Sequence, residues 1–272
     1  MALVMISQEA PFSFENLPRV GQVLQMEPRL PMKMDGVFRI DFHVHTNRSP
    51  EGIHGVSEII QRAKRVGLDG IAITDHNRLL TREVAAMLSK IHDFLVIGGI
   101  EGGDLVRHRT GDNNAHKHWI ALNLDQRPRG NDMGEIVENV RDEGGLSIAP
   151  HPYALNGFRD YDAWRFDAVE SLNGTRRKEE VDAKAAKGLG RVGGTDAHAK
   201  YMLGHTWTDV YSPNGSLDSI LENVRKGNCM PRGSGIPIHV ILAFYFAVLE
   251  RYLLSEPCEL IQTGSRLLRR YC

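Results

Sequence analysis

Short apolar runs alternate, from Val37 onward, with longer stretches in which apolar residues recur at helical spacing. Seven runs have the length of strands: residues 37–44, 70–74, 95–100, 118–124, 146–149, 167–172 and 191–195. Apolar residues dominate these runs without the strict alternation of a half-exposed strand, which is typical of a parallel sheet covered on both faces. The pattern therefore predicts consecutive strand–helix units.

Four amphipathic stretches between these runs predict helices: residues 56–67, 81–92, 133–145 and 176–190. In the first stretch, one helical face carries all the apolar residues, namely Val56, Ile59, Ile60, Ala63 and Val66. Seven or eight such units close most naturally into an α/β barrel, whose active site lies at the carboxyl ends of the strands. An open, doubly wound sheet is the alternative, but no glycine-rich phosphate loop follows the first run.

The two ends of the chain differ from this pattern and suggest a division into three parts. Residues 1–36 are rich in Pro and Met and are interpreted as an N-terminal arm, and residues 37–235 form the barrel. Residues 206–211 predict an extra strand and residues 216–228 a further helix. The C-terminal segment, residues 236–272, predicts two helices that pack on the barrel; pairing of these helices in a homo-oligomer is the alternative.

Composition narrows the class of protein. Of 272 residues, 42% are apolar and 25% charged, as expected for a globular chain with a sizeable core. The formal net charge of −1 argues against a dedicated nucleic-acid binder, although a local basic rim would still suffice for a nuclease. The three cysteines lack the spacing of a metal site and are expected to be reduced thiols. The sequence has no basic leader and no apolar run of membrane-spanning length. We therefore expect a soluble, cytoplasmic protein without membrane contact.

Histidines and carboxylates are concentrated where the predicted strands end. His43 and His45 lie two residues apart on the first strand, so both side chains project from the same face. Acids and imidazoles also follow four other strands: Asp75, His76, Glu101, His151, Asp196 and His198. His118 is the exception, because it opens its run instead of closing it. Imidazole and carboxylate together suit Zn²⁺, Mn²⁺ or Fe²⁺, and so many groups exceed the needs of one ion.

At these positions the sequence resembles the PHP (polymerase and histidinol phosphatase) family of metal-dependent phosphoesterases. The motifs, in the family's order, are HxHTxxS at 43–49, TDHN at 74–77, Glu101, HWIALNL from His118, HPY at 151–153, ESLNG at 170–174 and GTDAH at 194–198. The resemblance implies a distorted seven-stranded (β/α)7 TIM-like barrel with a C-terminal helical extension. It also implies two or three divalent cations, Zn²⁺, Mn²⁺ or Fe²⁺.

The resemblance further implies nine metal ligands. One ion would lie among His43, His45, Glu101 and Asp196, a second among Glu101, His118 and His151, and a third among Glu51, His76 and His198. Asp75 would orient a ligand histidine without itself contacting an ion.

Such a cluster would lower the pKa of a bridging water toward neutrality and neutralise charge on a phosphoryl group. Asp196 would orient this water or accept its proton, and His198 or His76 would protonate the leaving oxygen. A phosphate also calls for an arginine, and four follow barrel strands: Arg48, Arg78, Arg176 and Arg177. The polar loop at 107–117 is interpreted as a substrate lid, with a mobile connection as the alternative.

These observations favour hydrolysis of a phosphate ester of a small metabolite or nucleotide. An exonuclease-like phosphodiesterase acting on DNA or RNA ends is the alternative, which the near-neutral charge makes less favoured. Hydrolysis of a carbon–nitrogen bond would normally use a ligand lysine, and no lysine lies at a predicted strand end. A non-catalytic barrel is disfavoured because the ligand set is complete.

Overall fold

The computed structural model describes residues 28, 30–103, 117–162, 164–176, 178–179, 181–182, 184, 186 and 188–254. The strands within these ranges are β1 Val37–Val44, β2 Gly70–Ile73, β3 Leu95–Gly102, β4 Trp119–Leu122, β5 Leu146–Ala149, β6 Ala168–Asn173, β7 Lys178–Glu179, β8 Gly190–Gly194, β9 Thr206–Tyr211 and β10 Cys229–Gly233. The helices are α1 Val56–Val66, α2 Arg82–His92, α3 Met133–Asp142, α4 Leu217–Arg225 and α5 Ile238–Leu254, with a 3₁₀ turn at Lys200–Met202.

All of these strands belong to one sheet that nearly closes into a barrel. Their order is β10-β9-β1-β2-β3-β4-β5-β6-β7, and β8 pairs with β6 outside this path. A bridge between Val44 and Ala197 connects the end of β1 to the segment that follows β8. The predicted α/β barrel-like fold is therefore confirmed in its coarse form.

The regular (β/α)7 repeat is not confirmed. Strand β4 runs antiparallel to both of its neighbours, β3 and β5, and no described helix separates β3 from β4. The helix predicted over 176–190 is wrong for the described residues of that stretch, which form turns and strand β7. There, β7 folds back and pairs with β6 through Leu172–Glu179 and Asn173–Lys178, so pairing with the sheet outweighs the helical propensity of the segment.

Other predicted elements are confirmed. Helix α1 buries Ile59, Ile60 and Ala63, and it ends at Gly67, whose φ of 89° is readily adopted only without a side chain. Strand β9 and helices α4 and α5 occur where they were predicted. The second C-terminal helix, the 107–117 loop (apart from Lys117) and most of the N-terminal arm lie outside the described residues. No described helix is long and apolar enough to cross a membrane.

The apolar core and the polar site occupy successive levels of the same strands. One buried cluster joins β1, β3, β5 and β8 to helix α4 and includes Ile40, Phe42, Ile97, Leu146, Val192 and Leu221. The histidines and acids singled out from the sequence come later on the parallel strands or directly after them. The apolar core therefore fills one level of the barrel, and the candidate histidines and carboxylates lie at the next level, near the strand ends.

Candidate metal centre

The strand ends bring eight of the nine predicted ligands into one cluster. Four overlapping groups have ligand atoms within 4.8 Å of one another: His43–His45–Asp196, His43–Glu101–His151, His76–Glu101–His118 and His45–His76–His198. His118 joins them because β4 is antiparallel, so the start of β4 lies beside the end of β3 and its Glu101. The direction of β4 therefore explains why His118 precedes its strand, whereas the other candidate ligands lie at or after the ends of theirs.

Four ligand atoms converge in the first part of this cluster. The Nε2 atoms of His43 and His45 lie 3.1 Å apart. Glu101 Oε2 lies 3.3 Å and 3.2 Å from these two nitrogens, and Asp196 Oδ1 lies 3.5 Å and 3.4 Å from them. Four ligands held about 2.1 Å from a tetrahedral ion are about 3.4 Å apart. Each carboxylate oxygen, taken with the two imidazole nitrogens, therefore has the spacing of ligands around a divalent cation.

The two carboxylate oxygens of Glu101 face different histidines. Its Oε1 lies 2.7 Å from His118 Nδ1 and 3.2 Å from His151 Nε2. Its Oε2 lies 3.1 Å from His76 Nδ1 and faces His43 and His45 as described above. Glu101 thus faces histidines on both of its oxygens, and its role in joining two cations stays a prediction.

Glu51 is the predicted ligand that does not join these groups. It is exposed and lines a neighbouring cavity together with Asp196 and His198. In its place, His45 completes a group with His76 and His198. A ligand role for Glu51 stays a prediction.

The hydrogen bonds of the Nδ1 atoms of His43 and His45 indicate which ring nitrogens carry a proton. His43 Nδ1 lies 3.1 Å from Glu170 Oε1, which accepts its proton. His45 Nδ1 lies 3.0 Å from Ser49 Oγ, whose own proton goes to Asp75 Oδ1 at 2.8 Å, so Ser49 accepts from His45. Both Nε2 atoms then present lone pairs to each other. In neutral rings such lone pairs repel unless a proton or a metal cation lies between them, and an acceptor on the other ring nitrogen is how metal-binding histidines are oriented.

A buried oxygen of Glu101 supplies a second test of whether these residues suit a bound cation. Its Oε2 has no hydrogen-bond partner among the described residues, although imidazole nitrogens of His43, His45 and His76 lie 3.1–3.3 Å away. Leaving a buried carboxylate oxygen without a partner is costly. A divalent cation shared by this oxygen and the imidazoles removes the cost, so the residues present fit a metal site.

The electrostatics of the cluster favour positive charge. Burial alone would lower the pKa of His43, but the carboxylates of Glu101, Asp196 and Glu170 raise it well above its ordinary value. Burial opposes ionisation of Glu101 and Asp196, yet the neighbouring histidines, His43 first, hold both pKa values below their usual range. Burial lowers the pKa of His198 to about 3, so this imidazole is neutral at pH 7 and can offer a lone pair.

A layer of polar side chains holds the ligands in place. Glu170 accepts a hydrogen bond from the backbone N–H of His151 at 2.8 Å and from Asn173 Nδ2 at 2.9 Å, besides orienting His43. Gly194 leaves room for this contact, because a Cβ there would lie 2.4 Å from His43 Cβ and 2.6 Å from Glu170 Oε1. Glu170 thus positions two ligand histidines at once.

Asp75 acts one step further from the cluster than the sequence suggested. It accepts hydrogen bonds from the backbone N–H and the hydroxyl of Thr46, both at 2.7 Å, and from Ser49. It therefore orients His45 through Ser49, whose role the sequence analysis missed although Ser49 belongs to the HxHTxxS motif. Asn156, whose Nδ2 lies 3.2 Å from His118, was also missed, since nothing in its sequence context marks it.

Two ligands have backbone conformations that are rare for residues other than glycine. His151 has a φ of 28° and Asp196 a φ of 54°, both in the left-handed region. Such conformations persist where the surrounding structure enforces them, often at functional sites.

Among the described residues of the cluster, three side chains are more exposed than the rest. The side chains of His76, His198 and Asp196 are 14–17% exposed, whereas those of the other ligands are at most 8% exposed. A cavity of about 250 Å³ opens on Asp196 and His198. These two residues and His76 are therefore the ligands that a substrate can reach.

Three of the four candidate arginines are described, and all three are exposed. Arg48 follows β1 and donates from Nη2 to the carbonyl of Leu79 at 3.2 Å, Arg78 follows β2, and Arg176 follows β6. Arg177 lies outside the described residues. Their binding of substrate stays a prediction.

Comparisons with known proteins agree with these observations. The model of the PHP domain matches residues 41–145, and the model described as PHP-associated matches residues 177–229. An uncharacterized protein of Methanocaldococcus jannaschii is 30% identical over 154 residues, which are 51% of this chain and 84% of that protein. A DNA polymerase III of the PolC type from Staphylococcus epidermidis is 26% identical over 107 residues, 37% of this chain but 7% of the polymerase.

A solved structure shares the fold. It is a two-domain protein from Bacteroides vulgatus described as containing a predicted PHP-like metal-dependent phosphoesterase. The two chains superpose with a TM-score of 0.57 at 19% identity, over 81% of this chain and 74% of that one.

Proposed function

The chain belongs to the PHP family of phosphoesterases, and from this premise we propose that it hydrolyses a phosphate ester of a small metabolite or nucleotide. The observation that carries the proposal is the convergence of eight histidine and acid side chains around Glu101 at one end of the barrel. A cluster of this composition would be costly to bury without cations, and it is accessible where a substrate can enter.

The contacts support an assignment of residues to the cations. His43, His45, Glu101 and Asp196 would hold one ion, and Glu101 would share a second with His118 and His151. A third would lie by His76 and His198, with Glu51 as the further ligand that the resemblance suggests. The mixed nitrogen and oxygen donors favour Zn²⁺, Mn²⁺ or Fe²⁺. When bound, such ions supply positive charge that polarises a phosphoryl oxygen and acidifies water.

The exposed side chains would carry the proton transfers. Asp196 is the most accessible ligand, and we assign to it the orientation of the attacking water and the acceptance of its proton. The water oxygen forms a bond to phosphorus as the bond from phosphorus to the leaving oxygen breaks. The leaving oxygen takes a proton at the open side, which we assign to His76. His198, the other candidate from the sequence, is neutral at pH 7 and would serve as a ligand instead. The products are inorganic phosphate and an alcohol.

A phosphodiesterase acting on nucleic acid ends is the second candidate. It is supported by the similarity of part of this chain to a segment of a DNA polymerase. The formal net charge of −1 favours the small substrate, because nucleic-acid binding draws most of its affinity from basic residues.

Metal removal and reconstitution test the proposal. Protein stripped with a chelator, then loaded separately with Zn²⁺, Mn²⁺ or Fe²⁺, would be assayed on phosphomonoesters, dinucleotides and short oligonucleotides, with elemental analysis of each sample. We expect the stripped protein to lose nearly all turnover and at least one metal to restore it, with phosphomonoesters as the best substrates. Full turnover by a preparation shown to be metal-free would refute the mechanism.

A further inference from the structure

The cavity beside the candidate metal centre has an apolar wall that the hydrolysis itself does not require. Its volume is about 250 Å³, and its described lining residues are Glu51, Thr175, Asp196, His198, Met202, Ile241, Phe244 and Tyr245. The first four follow strands of the barrel, and the last four are apolar or aromatic and form what we call the apolar wall. A group attached to a phosphate held near Asp196 and His198 would therefore extend onto that surface.

Phe244 provides the contact between this wall and the metal centre. Its ring centroid lies 6.0 Å from that of His198, at an interplanar angle of 47°, and 5.4 Å from that of Tyr245. Phe244 is buried, whereas Tyr245 is 63% exposed. The two rings, tilted by 56° to each other, thus form an aromatic edge that runs from the centre toward the surface.

Three of the four wall residues, Ile241, Phe244 and Tyr245, belong to helix α5, which lies outside both segments matched by the family models, 41–145 and 177–229. Two hydrogen bonds fix this helix to the site loops. Before the helix, the backbone N–H of Ile236 donates to the carbonyl of Gly174 at 2.8 Å. Near its end, Arg251 Nη1 donates to the carbonyl of Gly52 at 2.9 Å, next to Glu51. The wall is held in place, and the selectivity it confers is a feature of this chain's own extension.

The charges around the cavity restrict what it can bind. The described lining residues include two carboxylates, Glu51 and Asp196, and neither lysine nor arginine. A second phosphate or another acidic group would be repelled there, whereas an uncharged ring would bury apolar surface. The volume lies below the range of about 300–1,000 Å³ that holds drug-sized ligands, so it suits one small ring system.

We propose that this cavity, built on Phe244, binds a planar, uncharged aromatic group on the leaving-group side of the substrate. The proposal rests on the proposed function and narrows it to phosphate esters that carry an aromatic ring. Two sources supply this chemistry: an aryl group attached directly to the ester oxygen, or the base of a nucleoside monophosphate.

Inhibition by unreactive phosphonates tests this inference without the bias of leaving-group reactivity. Metal-reconstituted protein would be assayed with three competitors of a common substrate: phenylphosphonate, methylphosphonate and a nucleotide analogue in which a methylene phosphonate replaces the phosphate ester of adenosine 5′-monophosphate. We expect phenylphosphonate or the nucleotide to inhibit about tenfold more tightly than methylphosphonate, from burial and stacking of one ring.

The variant Phe244→Leu keeps an apolar side chain in the wall and removes its flat face. It should weaken inhibition by the aromatic competitor threefold to tenfold and shift that by methylphosphonate less than twofold. The matched control is Phe246→Leu on the same helix, since Phe246 is 61% exposed and does not line the cavity; it should leave all three constants unchanged. A single cooperative thermal transition above the assay temperature shows that each variant folds, since the loss of buried ring area at Phe244 should itself lower the midpoint.

The outcomes distinguish the two sources of the ring. They also distinguish failure of the aromatic cavity from failure of the proposed hydrolysis. An effect of Phe244→Leu on phenylphosphonate supports a directly attached ring, and an effect confined to the nucleotide supports a base. Equal inhibition by all three competitors, unaffected by Phe244→Leu, overturns the aromatic pocket while hydrolysis stands. Absence of ester hydrolysis with every metal overturns the proposed function itself, whatever the competitors do.

Discussion

Glu101→Gln should abolish metal-dependent turnover, with a fall in kcat of about 1,000-fold or more, because divalent cations contribute several kcal/mol to such reactions. Both oxygens of Glu101 face ligand histidines, with His118 Nδ1 2.7 Å from Oε1 and His76 Nδ1 3.1 Å from Oε2. Glutamine keeps the shape of the side chain but removes its negative charge and turns an N–H₂ group toward imidazole lone pairs. Elemental analysis should show metal content reduced at two cation positions together.

The control for this variant is Glu58→Gln. Glu58 is an exposed glutamate of helix α1 that pairs with Lys200 at 2.8 Å and belongs to none of the candidate metal groups. Exposed ion pairs contribute about 1 kcal/mol or less, so turnover and metal content should stay within twofold of the parent protein. If Glu101→Gln retained the parent's metal content and rate, the bridging role assigned to Glu101 would be wrong.

Asp196→Asn should lower kcat by about 100-fold to 10,000-fold, the range for loss of a positioned acid–base group, with a much smaller change in KM. Asp196 Oδ1 lies 3.4–3.5 Å from His43 and His45, and its side chain is the most accessible of the ligands. Asparagine can still orient a water molecule but cannot accept its proton. Metal held through Glu101 should therefore survive in this variant, unlike in Glu101→Gln.

Asp93→Asn is the matched control for Asp196→Asn. Asp93 is exposed and also has a left-handed backbone, with a φ of 46° against 54° for Asp196. Asparagine tolerates this conformation as well as aspartate does, so any backbone effect of the substitution is the same at both positions. Steady-state kinetics of the two variants should differ strongly. A wild-type kcat for Asp196→Asn would rule out its role as acceptor of the water's proton.

Much of the fold and of the cluster follows from local sequence patterns. The first strand was predicted with the bounds that the structure has, Val37–Val44, because its apolar run ends sharply at a polar loop. The convergence of Glu101, His151 and Asp196 also followed, since the carboxyl ends of neighbouring strands meet at one end of a barrel. Predicting which groups meet required only the order of strands and their ends.

Features that depend on tertiary pairing did not follow from the sequence. The apolar run of β4 is the same read in either direction, so the pattern could not predict its antiparallel orientation, and only the family resemblance identified His118 as a candidate ligand. The charged, alanine-containing stretch 176–190 has helical propensity, yet its described part pairs with β6 as β7. Ser49 and Asn156 contact His45 and His118 from loops whose conformation depends on the assembled site.

Anomalous diffraction from crystals of the metal-loaded protein tests the central claim most directly, which is that these strand ends hold a cluster of divalent cations. The account predicts at least two peaks in the cluster, one within about 2.0–2.3 Å of His43 Nε2, His45 Nε2, Glu101 and Asp196, and another that Glu101 shares with His118 and His151. Strong peaks elsewhere in catalytically active protein, with none among these side chains, would contradict it.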